Sequence, residues 1–273
     1  IKYIINIYIM NNLEKKFKEN PKLERQLKQI ALNDKRLPNV SILMPTYNRR
    51  DFLPLILINV VNMDYPTNKL ELVIYDDHPT NPLFINDSEI DQVRRQTNIS
   101  IKYIYDKSRH LTIGSKRNRL VKASSYNICI NMDDDDLYFP SYIRYSVDTL
   151  LDNKAGLVGS PEMLFTYPND NYKISGIKCR EKRQIHEASM CFKKKYWRNM
   201  GGFNNTSLGE GTKMIQGNEN NCFFTEIHKC MICICHNDNT YSKEQFKNEN
   251  VDRIDMVISE DYKQLINQIL KIS

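Results

Sequence analysis

No stretch of this 273-residue chain approaches the roughly 20 consecutive apolar residues that span a bilayer. The opening IKYIINIYIM is apolar but too short, and no small-residue cleavage site follows it. A transmembrane segment is therefore not expected. The chain starts on isoleucine, so its natural start is expected upstream. The seven cysteines are odd in number and follow no regular framework. That argues against a disulfide scaffold and for free thiols in a reducing, cytoplasmic compartment. Internal repeats and low-complexity linkers are also missing, which excludes solenoids and arrays. Neither sign of charge dominates, with 39 Lys and Arg against 33 Asp and Glu. A net +6 fits an anionic small ligand or an acidic surface but is too weak to argue for nucleic acid. The chain is long enough for one large or two small globular domains with a sizeable core.

The texture changes along the chain. NNLEKKFKENPKLERQLKQIALNDKR is charged, with a cap and first-turn pair at Asn20 and Pro21 and with Leu23, Leu27 and Ile30 at helical spacing. Residues 1–38 are expected to form a helical arm. Short apolar runs then alternate with helical patterns. VSILMPTYN, LELVIYDD, IKYIYD and YNICINMD read as buried strands. RDFLPLILINVVNM reads as a helix with Asp51 as its cap, GSKRNRLVKAS as a basic helix, and PSYIRYSVDTLL as a helix with Pro140 near its first turn. This alternation predicts an α/β fold with a largely parallel sheet. From about residue 156 the strands GLVGSPEMLFTYP, YKISGIKC, EASMCFKKKYW and MICICHN suggest a mixed or antiparallel half. The expected organisation is a main domain over 39–240 and a charged, helical tail over 241–273.

In a parallel sheet, ligands sit beyond the carboxyl ends of the strands. Those ends carry PTYNRR, DDHP and DDDD, three polar clusters on one rim. The last is the most demanding. Asp133 to Asp136 are four carboxylates in a row, which repel one another. A solvated loop capping the next helix would need one or two acids. A divalent cation would relieve the repulsion, and oxygen ligands suit magnesium, manganese or calcium. The run lacks the glycine and distal glutamate of a calcium-binding EF-hand loop. Asp133 and Asp135, with one residue between them, form a short clamp of the kind that bridges magnesium or manganese to phosphates, so a nucleoside diphosphate or triphosphate is the expected ligand.

Five motifs in order, SILMPTYNRRDFL, LVIYDDHP, GSKRNRLVKAS, ICINMDDDDLY and GGFNNTSLGEG, resemble those of family 2 glycosyltransferases with the GT-A fold, over about residues 39 to 240. The resemblance implies a nucleotide-binding Rossmann-like half, a mixed-sheet acceptor half, and inverting transfer of a sugar (as in a hexosyltransferase) to an acceptor hydroxyl. The donor expected is a uridine-diphosphate sugar, and the acceptor a glycan or a protein. Pro45, Thr46, Tyr47 and Arg49 would line the nucleotide pocket, and Asp76 and Asp77 would hold base and ribose, since carboxylates accept from ring N–H and hydroxyl groups. The family continues that second motif with Gly-Ser where this chain has His78 and Pro79. Asp133 and Asp135 would hold manganese or magnesium against the diphosphate, with Asp134 beside the donor. A late histidine often completes the metal shell, and His236 in CHNDNT fits that place, favouring manganese. Lys116 and Arg117 would add cationic stabilisation of the leaving diphosphate. Arg119, about 200° from Arg117 on a helix, cannot face the same site.

Inversion needs one general base. Glu210 is the candidate, because the family places an acidic pair after Gly-Gly-Phe; the second acid is here Gly211, and Glu219 and Glu187 are the fallbacks. The clustered Cys230, Cys233, Cys235, His228 and His236 invite a zinc reading, but on a strand Cys233 and Cys235 face one side and Cys230 and His236 the other. Trp197 suits either the core or an acceptor-stacking role. Two further readings stand beside the transferase. A sugar-phosphate nucleotidylyltransferase would carry a glycine-rich loop after its first strand, and PTYNRR has no glycine. A catalytically inactive relative that binds glycans or a partner is the reading that Gly211 keeps open. The richness in asparagine, lysine and isoleucine suggests an AT-rich genome, with a large DNA virus as one source.

Overall fold

A computed structural model describes residues 36–178, 184–249 and 257–272. The helical arm expected over 1–38 lies almost wholly outside the described residues. Val40–Ser273 forms one compact unit, distinct from Ile1–Asn39.

The larger sheet has seven strands. Its parallel core is β1 (Val40–Thr46), β2 (Leu70–Asp76), β3 (Ser100–Tyr105) and β4 (Ile128–Asn131). Adding β6 (Leu157–Gly159), β9 (Cys191–Lys193) and β10 (Cys222–Phe224), the order is β10-β6-β9-β4-β1-β2-β3. β1 pairs in parallel with β2 on one side and β4 on the other, Val40 standing opposite both Leu70 and Ile128. Only β9 runs against its neighbours β4 and β6. All seven residues of β2 are buried, and all but Pro45 of β1, which is the continuous apolar pattern of strands covered on both faces. The expected α/β class and largely parallel sheet are observed.

Strand order reverses at β1, between β2 and β4, and in a doubly wound sheet this is where a crevice opens beyond the carboxyl ends. The loop after β1 and the aspartate loop after β4 therefore lie side by side. A second sheet has order β5-β11-β7-β8, from β5 (Leu137–Tyr138), β7 (Glu162–Tyr167), β8 (Lys173–Lys178) and β11 (Met231–Ile234). It mixes parallel and antiparallel pairs, as the second half of the sequence suggests. The four aspartates join β4 of the first sheet to β5 of the second.

Among the described residues the helices are α1 (Leu53–Val61), α2 (Asp87–Thr97), α3 (Ile113–Ala123), α4 (Tyr142–Asp152), α5 (Lys194–Asn199), α6 (Thr212–Ile215) and α7 (Glu260–Leu270). α3 packs on β1 and β2, and its first turn is capped by Thr112, whose Oγ1 accepts from Ser115 N at 3.3 Å. Two local expectations are corrected. Asp51 does not cap the first helix: a 3₁₀ turn over Arg50–Phe52 leads into α1, and Asp51 pairs with Lys271 instead, 3.3 Å away. EASMCFKKKYW is not one strand but a 3₁₀ turn, the three-residue β9 and α5.

Beyond Thr240 the chain covers the second sheet. The Phe246 ring stacks on Phe165 with centroids 5.3 Å apart, and the Tyr167 hydroxyl donates to Lys243 O at 2.9 Å. α7 is anchored by the Tyr172 hydroxyl, 2.8 Å from Lys263 O. Among the described residues, no helix is long and apolar enough to cross a membrane.

Candidate active site

Each of the four aspartates has a partner, Arg49 serving both Asp134 and Asp135, which is how the fold tolerates them. Asp133 Oδ1 accepts from Arg117 Nη2 at 2.9 Å. Asp134 Oδ1 lies 3.7 Å from Arg49 Nε. Asp135 Oδ2 gathers Arg49 Nη2 at 3.0 Å, His236 Nε2 at 3.2 Å and Asn239 Nδ2 at 3.4 Å. Asp136 turns away, accepting from Ile234 N at 3.1 Å, and so ties the loop to β11. Two arginines and one histidine offset the repulsion. Burial, then the neighbouring Asp135 charge, pushes the Asp134 carboxyl up to about 8. Against the cost of burial, the hydrogen bond from His236 and the Arg49 charge hold Asp135 below the usual carboxylate range.

The second polar cluster shapes the pocket wall. Asp76 takes three donors: His78 N at 3.0 Å, Leu83 N at 2.7 Å and the Tyr103 hydroxyl at 2.7 Å. It thereby orders the turn from Asp76 to Leu83, and His78 tightens it by accepting from Asn81 N at 2.8 Å. Asp77 is buried, with Lys116 Nζ 2.5 Å from Oδ1 and Leu111 N 2.7 Å from Oδ2. Lys116 Nζ also donates to Thr46 O at 3.0 Å and lies 5.2 Å from the centre of the Tyr47 ring. Pro45 and Thr46 end β1, whereas Tyr47 stands exposed between His78 and His110, its ring centroid 4.6 and 4.3 Å from theirs. His110, which the sequence alone does not single out, completes an aromatic trio whose rings are inclined to Tyr47 by 65° and 55°, and the exposed Tyr47 ring offers a flat face to a planar ligand.

A cavity of about 430 Å³ opens next to the aspartate loop, lined by Arg117, Asp133, Asp135, Glu187, Glu210 and Lys243 among others. Arg117 is 2% exposed. Its Nε donates to Glu210 Oε1 at 3.0 Å, Nη2 serves Asp133, and the buried Nη1 has no hydrogen-bond partner among the described residues. A buried donor left without a partner is costly, and an oxygen of a bound ligand would satisfy it. Arg119 faces elsewhere, 5.5 Å from the centre of the Tyr75 ring, as helix geometry requires. Glu187 lines the same cavity as Glu210 and accepts from Gly211 N at 3.2 Å. Glu219 is not part of the lining; it accepts from Gly217 N at 3.1 Å.

The metal expectation divides. Asp135 and His236 meet, and a carboxylate with an imidazole suits manganese. Asp133 is held by Arg117, and among the described residues no three His, Cys, Asp or Glu side chains converge into a cage. The donor set fits a cation shared with a ligand's phosphates rather than one enclosed by protein. Asn239, which carries no signal of its own in the sequence, links the pair: its Nδ2 reaches Asp135 and its Oδ1 accepts from His236 N at 2.8 Å. Cys230 and Cys235 are buried, and burial pushes both thiols up to about 12. Trp197 is half-buried and packs against the core, its Nε1 donating to Asn118 Oδ1 at 3.0 Å.

The sequence model of the family described as Glycosyl transferase family 2 matches residues 41–210. Solved structures share the fold. TarS 1–349 of S. aureus is 11% identical with a TM-score of 0.54, over 72% of this chain and 60% of that one. The same fragment in complex with UDP-GlcNAc gives 13% identity and a TM-score of 0.56, over 86% of this chain and 73% of that one. The mannosyltransferase PcManGT of Pyrobaculum calidifontis, in complex with GDP-Man and Mn2+, is 20% identical with a TM-score of 0.51, over 74% of this chain and 57% of that one. The match to TarS 1–349 alone thus spans about 60% of that fragment's length. No curated protein sequence matches the chain.

Proposed function

This chain belongs to glycosyl transferase family 2, and we propose that it moves a sugar from a uridine-diphosphate sugar to an acceptor hydroxyl on a glycan or protein, with inversion and with the help of a divalent cation. The observation that carries this reading is the convergence, at the switch point of the sheet, of the Asp135–His236 pair with a buried arginine whose Nη1 has no partner among the described residues. The exposed ring of Tyr47, flanked by His78 and His110, supplies the face for the nucleobase, and Lys116 is held beside it by Asp77. Arg117 Nη1 donates to the sugar or diphosphate and, fixed in place by Glu210 and Asp133, needs no rearrangement as negative charge develops on the leaving group. Manganese or magnesium, held by Asp135 and His236 with Asp133 close by in the loop, would act as a Lewis acid on the departing diphosphate. The cavity beyond Arg117 is the place for the transferred sugar and the acceptor.

TarS has been crystallised with UDP-GlcNAc and PcManGT with GDP-Man, so the test separates the two bases. The protein is incubated with manganese and a panel of uridine-, guanosine- and adenosine-diphosphate sugars, and release of the nucleoside diphosphate is followed. Preferential cleavage of a uridine donor, with uridine diphosphate raising the melting temperature most, is the expected result. A larger shift with guanosine diphosphate reassigns the donor. A chain that binds no nucleotide is the inactive relative.

A further inference from the structure

Gly211 stands where a second acid would be expected after Glu210. Its backbone does not call for glycine, since φ is −79° and ψ −12°, values open to any residue. What it supplies is space. A Cβ at position 211 would lie 2.8 Å from Cγ of Glu187 and 2.5 Å from Cε of Met190. The room that a side chain at 211 would take is filled by Glu187, whose Oε1 accepts from Gly211 N at 3.2 Å. Glu210, meanwhile, has Oε1 in an ion pair with Arg117 and is only 4% exposed. Given the transfer reaction above, on which this inference rests, we propose that Glu187 is the general base of this enzyme and that Glu210 is a positioning residue that fixes Arg117.

The backbone around Glu187 is held firmly enough for the role. Its carbonyl accepts from Asn131 Nδ2 at 2.7 Å, and the next carbonyl, Ala188 O, accepts from the hydroxyls of Tyr138 and Tyr142 at 3.2 and 3.1 Å. The same Tyr138 hydroxyl accepts from Asp133 N at 2.7 Å, so one tyrosine bridges the donor side and the base side of the cavity. Burial, and then the Glu210 charge, push the Glu187 carboxyl up to about 7, with Arg117 acting in the opposite sense. His186 beside it is kept neutral by burial, at about 3, and competes for no proton. A base poised near neutrality is ionised in half the molecules and still binds a proton well. In the step, the acceptor O–H proton goes to the Glu187 carboxylate. The oxygen's electron pair forms the bond to the anomeric carbon, and the bond from that carbon to the diphosphate oxygen breaks, its pair leaving on the nucleoside diphosphate.

The test compares wild type, Glu187→Gln, Glu210→Gln, Glu187→Ala and Glu187→Ala/Gly211→Asp, with manganese and UDP-GlcNAc, water serving as acceptor. Uridine diphosphate binding is measured alongside by calorimetry. Glu187→Gln is expected to keep binding and lose about 10²–10⁴-fold in rate. Removing the Glu187 side chain clears its Cγ from the space at 211 and leaves the terminal methyl of Met190, the end of a flexible side chain, to move aside, so the double variant is expected to regain at least about tenfold over Glu187→Ala as an acid returns to the cavity. A near-normal rate for Glu187→Gln overturns the assignment while leaving the transfer reading intact. A wild type that binds no nucleoside diphosphate overturns the transfer reading itself. Where binding is seen but hydrolysis is too slow to follow, carbodiimide labelling of the carboxyls is read by mass spectrometry across pH. Labelling of Glu187 that persists to near pH 7 supports the assignment, and loss of labelling together with the surface acids near pH 5 overturns it.

Discussion

Arg117 bridges two acids that are 93 and 16 residues away in sequence, with Nε 3.0 Å from Glu210 Oε1 and Nη2 2.9 Å from Asp133 Oδ1. The planar guanidinium fork makes this possible, and an ammonium group, a single point charge, cannot match it. Removing the arginine leaves Glu210, and in part Asp133, as uncompensated charge in a buried place. Arg117→Met is expected to destabilise the fold by about 3–5 kcal/mol, the usual cost of breaking a buried pair. Arg117→Lys should recover only part of this loss. Urea-unfolding midpoints check both; a midpoint unchanged by Arg117→Met would show that the bridge contributes nothing to stability.

Asp135 and His236 are the pair to which manganese dependence is traced. Asp135→Asn is expected to weaken manganese-dependent uridine diphosphate binding by more than the roughly 10–100-fold that loss of a supporting contact costs. Calorimetry with and without chelator is the measurement. Binding in the presence of chelator should be similar in the two proteins, and equal manganese enhancement in both would sink the assignment.

Gly202 tests the scaffold rather than the chemistry. Its φ is +77°, and a Cβ there would meet Asn118 Oδ1 at 2.6 Å and Trp197 Nε1 at 3.0 Å. Asn118 also accepts from Phe203 N and donates to Phe203 O, so it clasps the loop that leads to Glu210. Gly217 has nearly the same φ, +78°, with nothing within 4 Å of the place a Cβ would take. Gly217→Ala should therefore show backbone strain alone, about 1 kcal/mol, and Gly202→Ala more, up to about 3 kcal/mol. Thermal melts of the two variants, side by side, decide it; equal losses would mean that the Asn118 contact yields freely.

What is legible in the sequence follows from pattern and charge. The runs that form β1, β2 and β4 are apolar because both sheet faces are covered, and the acidic cluster stands out because like charges need an explanation. α2 escapes a reading by pattern, although Asn86 caps it by accepting from Glu89 N at 3.0 Å, because only Ile90 and Val93 mark its apolar side and the polar remainder looks like loop. β5, two residues long, and β10, three residues long, are too short for any period to show. The partners within the site are beyond the sequence for a different reason. Asn239 with Asp135, or Glu187 with Gly211, depend on which loops the sheet order brings together, and their spacings of 104 and 24 residues carry no trace of it. Gly211 itself is visible as a departure. Its meaning is not, because the side chain that fills its space comes from another loop.

Glu187 makes a claim on stability that requires no substrate. Its folded carboxyl is raised to about 7 from an ordinary 4.5, first by burial and then by Glu210. Between those two values the folded chain holds a proton that the unfolded chain has released. Stability follows the difference in bound protons, unfolded minus folded, which is negative in this window. On Glu187's account, stability is therefore constant below about pH 4.5, falls as pH rises to about 7, and is constant again above. A tenfold change in proton affinity is worth about 1.4 kcal/mol, so the loss across the window is of order 1–3 kcal/mol. Glu187→Gln keeps an oxygen to accept from Gly211 N and has no proton to lose. The variant should be more stable than wild type at pH 8 and closer to it at pH 4, while being the slower enzyme. Unfolding free energies of both proteins from pH 4 to 8 are the measurement. A difference between them that does not change with pH would show that the Glu187 carboxyl titrates as an ordinary surface acid.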